Sequence, residues 1–324
     1  MKKIVEALSG ADKVLFLCHV SPDGDTLGSA AALALALQAR GKQTAVYTDK
    51  PLPHKYSFLK EYTRFVCGSE VSAEDFDCLA AVDTAGANRL GSMQEPFLNS
   101  ESVTLNIDHH VTNPLYADYN LVEQRPACAE VVAKVIKQLG VSLTKEIAEC
   151  LYIALCTDTG RFSYLGTDED SFKLAAHLVE AGADIPRLCN LIYATRSYAA
   201  TKLLAFMLDG ISLEADGKIA LLSIDLKDLS ALGALPEDCE ELIDYGREIE
   251  GVEIAIFLRQ MEEGKYKASL RSKYYADVAK IAVFFGGGGH TRAAGCMFTG
   301  SLEEIKKTIV AAAERELEQY ERDC

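Results

Sequence analysis

Polar residues that can bind metal ions or move protons stand at or directly after the ends of three apolar segments, 14–19, 78–82 and 103–107. In chain order they are His19, Asp23 and Asp25, then Asp83, then Asp108, His109 and His110. In an open parallel sheet, ligands bind beyond the carboxyl ends of the strands. We therefore expect these side chains to lie together at one edge of such a sheet.

Several carboxylates brought into one partly dry cleft would repel one another, and the repulsion would raise their pKa values. Divalent cations remove this cost because they supply the missing positive charge. A mixed set of Asp and His ligands suits Mn²⁺, ahead of Mg²⁺, Co²⁺ or Fe²⁺. Structural zinc is disfavoured because the set contains no Cys. The chemistry expected of the site is metal-assisted hydrolysis.

Each residue taken alone also has a structural explanation. Asp23 and Asp25 lie in a Pro-Asp-Gly-Asp turn, and Asp83 before Thr84 has the pattern of a helix N-cap. Asp158, in the segment CTDTGRF, follows a predicted helix and by itself is typical of a cap or turn. Two adjacent histidines after a buried strand are harder to explain in this way. The joint pattern is what favours a metal site.

Short strands alternate with helices through the first half of the chain, which indicates an α/β fold with an open parallel sheet flanked by helices. The predicted strands are 14–19, 43–48, 78–82 and 103–107, and the predicted helices are 26–40, 129–139, 145–156 and 171–181. A single helix is predicted at 187–208, where we place the connection to a second part of the chain.

Strand patterns at 218–224, 252–260, 265–270 and 294–298, with helices at 277–285 and from 301 onward, predict a smaller C-terminal α/β domain. We expect a metal-binding catalytic domain at 1–190, a helical linker at 191–213 and a substrate-binding domain at 214–324.

Four consecutive glycines occupy 286–289, and no Gly-Lys-Ser or Gly-Lys-Thr follows them, so the segment is not a Walker loop. Consecutive glycines cost conformational entropy and are justified where backbone N–H groups must come close to an anion. The alternative is a flexible turn between a helix and a strand. Arg271 and His290 would add donors to a cradle for a terminal phosphate.

The charge of the chain restricts its substrates. There are 48 acidic and 33 basic residues, for a formal net charge of −15. A protein that grips long nucleic acid needs a basic track, so long substrates are excluded and small nucleotides remain.

No apolar stretch approaches the length of a membrane span, and charges are spread through residues 1–14. We expect no signal peptide, no membrane association and a cytoplasmic location. The ten cysteines, with no Cys-x-x-Cys pair, are predicted to be reduced thiols.

Four segments in this order, HVSPDGDTLGSA, AVDTA, NIDHH and TDTGRFSY, resemble the four motifs of the DHH phosphoesterase family. In the second half, ASLRSK followed by GGGGHTRAAG resembles the DHH-associated substrate-binding domain. The match covers essentially the whole chain. The size and layout resemble the stand-alone bacterial nano-RNases of this family.

The resemblance implies a role for each motif residue. One cation would be held by His19, Asp23 and Asp83, and a second by Asp25, Asp83, His109 and Asp158. His110 would face the scissile phosphate, with Asp108 orienting its neighbours. The far end of the substrate would be held by Arg271, Ser272, Gly287, Gly288, Gly289 and His290. Cys128 stands where a small hydroxyl residue is expected, which concerns only a contact at the start of a helix.

The implied activity is Mn²⁺-dependent hydrolysis of short oligoribonucleotides of about two to five nucleotides, together with dephosphorylation of pAp to AMP. Two alternatives stay open: hydrolysis of linear or cyclic dinucleotides such as pGpG, pApA or cyclic di-AMP, and a non-catalytic nucleotide-binding sensor. RecJ-like exonucleases need a basic channel that this acidic chain lacks, and pyrophosphatases of related fold lack the GGGGH segment. The resemblance also suggests a homodimer.

Overall fold

The computed structural model describes residues 1–323. The chain folds as two compact units, of which the first is Met1–Thr195 and the second begins at Arg196. None of the described helices is long and apolar enough to cross a membrane. The nine cysteines within the described residues are free thiols, most of them buried.

The first unit is an α/β structure with one central sheet. Its strands are β1 Lys13–Leu17, β2 Gln43–Thr48, β3 Phe65–Cys67, β4 Cys78–Val82, β5 Val103–Asp108 and β6 Tyr119–Val122. Its helices are α1 Lys2–Gly10, α2 Gly24–Gln38, α3 Gln94–Leu98, α4 Cys128–Gln138, α5 Lys145–Asp158, α6 Glu169–Glu180 and α7 Ile185–Cys189.

The six strands are all parallel, in the order β3-β2-β1-β4-β5-β6. Apolar side chains cover both faces of the sheet, and every residue of β4 is buried. This pattern requires strands that are mainly apolar, as the apolar segments of the sequence indicated. The strand order reverses between β1 and β4, and the crevice beyond such a reversal is where open α/β sheets bind ligands. The predicted parallel α/β fold is confirmed.

Helices α2 and α5 pack unusually closely and thereby place two segments of the site. A Cβ atom on Gly28 would lie 2.4 Å from the carbonyl oxygen of Cys150, and one on Gly24 would lie 2.5 Å from the side chain of Thr157. Only glycine fits such approaches between helices. The start of α2 is therefore held against the end of α5, whose last residue is Asp158.

The second unit is built on a mixed sheet. Its strands are β7 Ser212–Glu214, β8 Ile219–Ile224, β9 Ile254–Glu262, β10 Lys265–Ser272, β11 Gly288–His290 and β12 Ala293–Thr299. Its helices are α8 Tyr198–Asp209, α9 Leu226–Leu232, α10 Leu242–Glu248, α11 Val278–Phe284 and α12 Leu302–Asp323. The order is β11-β12-β10-β9-β8-β7, and β8 and β9 form the parallel pair. This is the α/β second domain that the sequence predicted.

Two predictions about local structure are wrong. The helix expected at 187–208 is interrupted, because a π-helical turn at Asn190–Ala194 leads into extended backbone at Thr195, and the Ser197 side chain then caps α8 by accepting from the N–H of Ala200. The alternative of a flexible turn for the glycine run is also wrong, because residues 288–290 form the edge strand β11, which pairs with β12.

Candidate metal centre

Three overlapping groups of Asp and His side chains meet at the carboxyl edge of the first sheet. The groups are His19, Asp23 and Asp83; Asp25, His109 and Asp158; and Asp83, Asp108, His109 and His110. Within each group, one potential ligand atom from every residue lies within 4.8 Å of the others. The structure thus brings together all eight residues that the sequence analysis singled out in this half of the chain.

His19 and Asp23 occupy the loop between β1 and α2. Nδ1 of His19 lies 2.9 Å from the carbonyl oxygen of Val20, and its Nε2 lies 3.8 Å from carboxylate oxygens of both Asp23 and Asp83. Asp23 caps α2 by accepting from the N–H groups of Asp25 and Thr26. Crowding around Asp23 opposes its ionisation, but the His19 contact and these two N–H groups lower its pKa to about 2.

Asp25 is buried in the first turn of α2 and is held by another helix. Its Oδ2 accepts from the N–H of Cys128 at 2.6 Å, and its Oδ1 accepts from the N–H of Ala129 at 3.1 Å and from the hydroxyl of Ser29 at 3.0 Å. The start of α4 thus orients this carboxylate. Burial, together with the charges of Asp83 and Asp158, raises the pKa of Asp25 well above its ordinary range.

His109 faces the carboxylates of two other elements. Its Nδ1 lies 2.8 Å from the carbonyl oxygen of Arg125, while its Nε2 lies 3.2 Å from Oδ1 of Asp83 and 3.5 Å from Oδ2 of Asp158. Burial alone lowers the pKa of His109, but the contact with Asp83 and the surrounding carboxylates raise it to about 11. Burial and the neighbouring charge of Asp83 raise the pKa of Asp158 to about 7.

Asp83 belongs to two of the three groups of potential ligands. It follows β4 with a backbone φ of 54°, a conformation that is uncommon for a residue other than glycine, and its N–H donates to the carbonyl of Ile107. The residue is 3% exposed, and its Oδ1 makes no hydrogen bond of good geometry although Nε2 of His109 is 3.2 Å away. A buried carboxylate oxygen without a donor is costly and calls for another charge beside it.

His110 and Asp108 form a separate pair. Nδ1 of His110 lies 2.7 Å from Oδ1 of Asp108, which is fully buried at the end of β5. The other carboxylate oxygen accepts from Nδ2 of Asn113 at 2.6 Å, and that amide also contacts Oδ1 of Asn106 at 2.7 Å. The hydrogen bond from Asn113 therefore fixes the Asp108 carboxylate, which in turn sets the orientation of the His110 ring.

The donor set fits divalent cations. His19 and His109 each direct Nδ1 at a backbone carbonyl and Nε2 at carboxylates, which is the usual arrangement of metal-ligating histidines. Asp and His together suit Mn²⁺, Mg²⁺ or Co²⁺. Oδ1 of Asp83, the buried oxygen that has no hydrogen-bond donor, lies between the His19 group and the group of Asp25, His109 and Asp158.

In the second unit, two predicted substrate residues share one face of the sheet. Arg271 pairs with Ala293 on one side and His290 pairs with Ala293 on the other, so the three occupy one row across β10, β12 and β11. Residues in one row point to the same face. Ser272 is buried instead, and its hydroxyl donates to the carbonyl of Ala276 at 2.7 Å.

The glycine run has a packing explanation at two of its positions. A Cβ on Gly287 would lie 2.2 Å from the carbonyl oxygen of Gly295, and one on Gly289 would lie 2.5 Å from that of Ala293. Gly288 is different, because its Cβ would meet nothing within 4 Å. Contact with β12 therefore accounts for Gly287 and Gly289, and Gly286 has a left-handed φ of 73° that favours glycine. Within the run, Gly288 alone lacks a structural reason.

Sequence reasoning missed three contributors to the first-unit site. Arg125 was not singled out, but its backbone carbonyl contacts His109 and its side chain pairs with Asp170 at 3.1 Å. Asn113 anchors Asp108, and Arg89 contacts His19. The contact of the Arg125 carbonyl could not be predicted from the sequence, because every residue has a backbone carbonyl. Asn113 does lie three residues after His110, in the same loop, which was a usable signal.

The chain is similar to known proteins along most of its length. The family model "DHH family, N-terminal domain" matches residues 13–155, and that of the DHHA1 domain matches residues 199–319. The bifunctional oligoribonuclease and PAP phosphatase NrnA of Thermus thermophilus is 30% identical, over 98% of this chain and 94% of its own. The protein of the same name from Bacillus subtilis is 25% identical, over 90% and 91%.

A solved structure has the same fold over almost its whole length. The crystal structure of an exopolyphosphatase-related protein from Bacteroides fragilis aligns with a TM-score of 0.89 and 25% identity, covering 98% of this chain and 95% of that one. Family models match both domains, and the Thermus relative is 30% identical over nearly the whole length of both chains. The chain belongs to the DHH family of phosphoesterases and carries a DHHA1 domain after its DHH domain.

Proposed function

We propose that this chain hydrolyses short oligoribonucleotides to mononucleotides and removes the 3′-phosphate of pAp to give AMP. The names of the Thermus and Bacillus relatives support this substrate class. The observation that carries the proposal is the convergence of His19, Asp23, Asp25, His109 and Asp158 around the buried carboxylate of Asp83. Such a set can hold two divalent cations against a phosphate, and the acidic charge of the chain disfavours long nucleic acid.

The proposed ligands divide between two cations, for which Mn²⁺ is our preferred metal, with Mg²⁺ and Co²⁺ as competitors. One is held by His19, Asp23 and Asp83, and the other by Asp25, Asp83, His109 and Asp158. Bound there, the cations would make water a better nucleophile at neutral pH and offset the charge of the phosphoryl oxygens.

His110 is proposed to act on the scissile phosphate. Its ring is partly exposed, with 26% of the side chain accessible, and Asp108 holds its Nδ1. Burial lowers the pKa of His110, but the hydrogen bond with Asp108 and the charges of Asp83 and Asp108 together outweigh it, so the pKa is raised overall. A raised pKa favours the protonated ring, which would either donate a hydrogen bond to the phosphate or protonate the leaving oxygen. Asp108 keeps the ring in place.

The second unit is proposed to hold the rest of the substrate. Arg271 and His290 on one sheet face, with Ser272 and the backbone at Gly287, Gly288 and Gly289, would contact the terminal phosphate. In this proposal, residues 1–190 form the catalytic domain, 214–324 the substrate-binding domain and 191–213 the helical linker. We also propose that the protein works in the cytoplasm as a homodimer.

A turnover panel tests the proposal. The metal-loaded protein is assayed with pAp, pGpG, pApA, a five-residue RNA and cyclic di-AMP at equal concentration, with Mn²⁺, Mg²⁺ or Co²⁺. We expect hydrolysis of pAp and of the linear RNAs, fastest with Mn²⁺. Hydrolysis of cyclic di-AMP or pGpG alone would assign the chain to dinucleotide turnover. Binding without hydrolysis of any substrate, or of a chromogenic phosphodiester, would identify a nucleotide sensor instead.

A further inference from the structure

Arg89 places a guanidinium against one of the proposed metal ligands. Its Nη2 lies 3.1 Å from Nδ1 of His19 and 3.5 Å from the carbonyl oxygen of Val20. Among the described residues, no other Lys or Arg side chain lies within hydrogen-bond distance of a proposed metal ligand, and Arg89 itself forms no ion pair. The residue is exposed. A guanidinium beside a carboxylate-rich centre that pairs with none of the carboxylates is available to another anion.

The backbone holds Arg89 in this place. The residue ends a short 3-10 turn six positions after Asp83, and its N–H donates to the carbonyl of Gly86 at 2.9 Å. Its own carbonyl accepts from the N–H of Val20 at 2.8 Å, and the next residue, Leu90, is buried in the core. The segments that carry Asp83 and His19 are therefore tied together through Arg89, and its side chain starts from a fixed point at the site.

The contact between Arg89 and His19 is incompatible with the arrangement that a metal ligand requires. Nδ1 of His19 can donate to the Val20 carbonyl or accept from the guanidinium, but not both at once. A histidine that ligates a cation through Nε2 carries its proton on Nδ1 and donates it to the carbonyl. The ring then offers Arg89 no acceptor. The guanidinium must find an acceptor elsewhere, and its planar set of donors matches the oxygens of a phosphate.

We propose that Arg89 is a substrate-binding residue that contacts a phosphoryl oxygen of the substrate on the His19 side of the metal centre. The inference rests on the phosphoester chemistry of the proposed function, but not on the identity of the nucleotide. Arg89 would supply the first unit with a permanent positive charge for the phosphate, in addition to the charge of the cations.

Binding of inorganic phosphate to the full-length, Mn²⁺-loaded protein tests the proposal, measured by calorimetry. Four proteins are compared: wild type, Arg89→Ala, Arg89→Lys and the control Arg64→Ala, which removes an exposed arginine with no contact to the candidate ligands. Loss of a charge-assisted contact should weaken phosphate binding by about 10- to 100-fold in Arg89→Ala. Arg89→Lys should be intermediate, because a lysine offers a point charge without the planar fork. Arg64→Ala should match wild type, and all four should bind the same amount of manganese.

The proposal is overturned if Arg89→Ala binds phosphate as wild type does, or if wild type binds none. It is also overturned if Arg89→Ala loses manganese, because the residue would then serve to hold His19. The proposed function fails separately. If wild type hydrolyses no nucleotide of the panel while its phosphate binding still depends on Arg89, the substrate class is wrong and the assignment of Arg89 stands.

Discussion

The backbone N–H of Cys128 donates to Oδ2 of Asp25 at 2.6 Å, across a separation of 103 residues. The residue type at this position departs from the small hydroxyl residue that the DHH pattern leads one to expect. The structure explains why the departure is tolerable: the donor to Asp25 belongs to the backbone at the start of α4, and the thiol points to the carbonyl of Ile107 at 3.4 Å. The orientation of Asp25 therefore does not depend on the side chain.

Cys128→Ser should accordingly leave the site intact. The hydroxyl can donate to the same Ile107 carbonyl, so the buried polar group is satisfied, and we expect stability to change by no more than about 1 kcal/mol. Metal content and turnover should stay within about twofold of wild type. Ser29→Ala provides the contrast, because it removes a side-chain donor to Asp25 and should weaken metal binding. Loss of metal in Cys128→Ser would show that the thiol itself matters.

Asp83→Ala should remove both cations, because this carboxylate belongs to the His19 group and lies 3.2 Å from Nε2 of His109 in the second group. Hydrolysis should fall to the level of the metal-free protein, and elemental analysis should find neither metal. Asp83→Asn keeps the shape of the side chain and isolates the loss of charge. Retained Mn²⁺-dependent hydrolysis in Asp83→Ala would refute the assignment of the metal ligands.

Much of the sheet was predictable from the sequence because its central strands are mainly apolar and polar residues stand at or directly after their ends. Segments 43–48 and 78–82 match β2 and β4 exactly in extent, and the expected meeting of their polar ends follows from parallel pairing. The short strands β3 and β6 were missed, since three or four residues at or near a sheet edge carry little periodic signal.

The contacts that hold the predicted ligands in place could not be predicted from the sequence. Arg89 contacts His19 from 70 residues away, and the Arg125 carbonyl contacts His109 from 16 residues away. Such contacts depend on how loops fold back onto the sheet edge, which no local pattern encodes. The close approach of Gly287 and Gly289 to a strand of the protein itself was likewise not predictable, because it depends on the pairing of the glycine run with β12.

Asn113 should act as a positioning residue for the Asp108–His110 pair. The N–H of Leu115 donates to Oδ1 of Asn113 at 2.8 Å, which turns Nδ2 toward Asp108. Asn113→Ala leaves a buried carboxylate oxygen short of its donor, so we expect about 1–3 kcal/mol lower stability. Turnover number should fall about tenfold as the His110 ring loses its fixed orientation, with KM and metal content unchanged. Asn99→Ala, which removes an exposed amide directly after α3, is the matched control. An unchanged turnover number would leave Asn113 a structural role only.

Gly288→Ala separates the two explanations of the glycine run. The new methyl group meets nothing within 4 Å, so the fold should be unaffected, to within about 0.5 kcal/mol. If the backbone here approaches a terminal phosphate, KM for pAp and for dinucleotides should rise at least about fivefold, as it should in Arg271→Ala, with metal content unchanged. Gly289→Ala serves as the destabilised reference, since its methyl group collides with β12. An unchanged KM in Gly288→Ala would mean that the run serves only the sheet.

The metal-free protein should lose thermal stability as pH rises. The folded state raises the pKa of Asp158 from 3.8 to about 7, mainly by burial, and the carboxylates around His109 raise its pKa from 6.5 to about 11 against the effect of burial. In both cases the folded state holds a proton that the unfolded state has released, so stability falls as pH increases through this range. We expect the unfolding midpoint in chelator to drop by about 2 °C or more between about pH 5 and pH 8.

Added Mn²⁺ should flatten this slope, because the cations replace the protons as counter-charges for the carboxylates. Asp158→Asn is the matched variant: it removes one of these titrating groups, so its metal-free slope should be shallower than that of wild type. Scanning fluorimetry at four pH values, with chelator and with Mn²⁺, measures all of these slopes. A metal-free slope in Asp158→Asn as steep as in wild type would show that this carboxylate does not hold the proton.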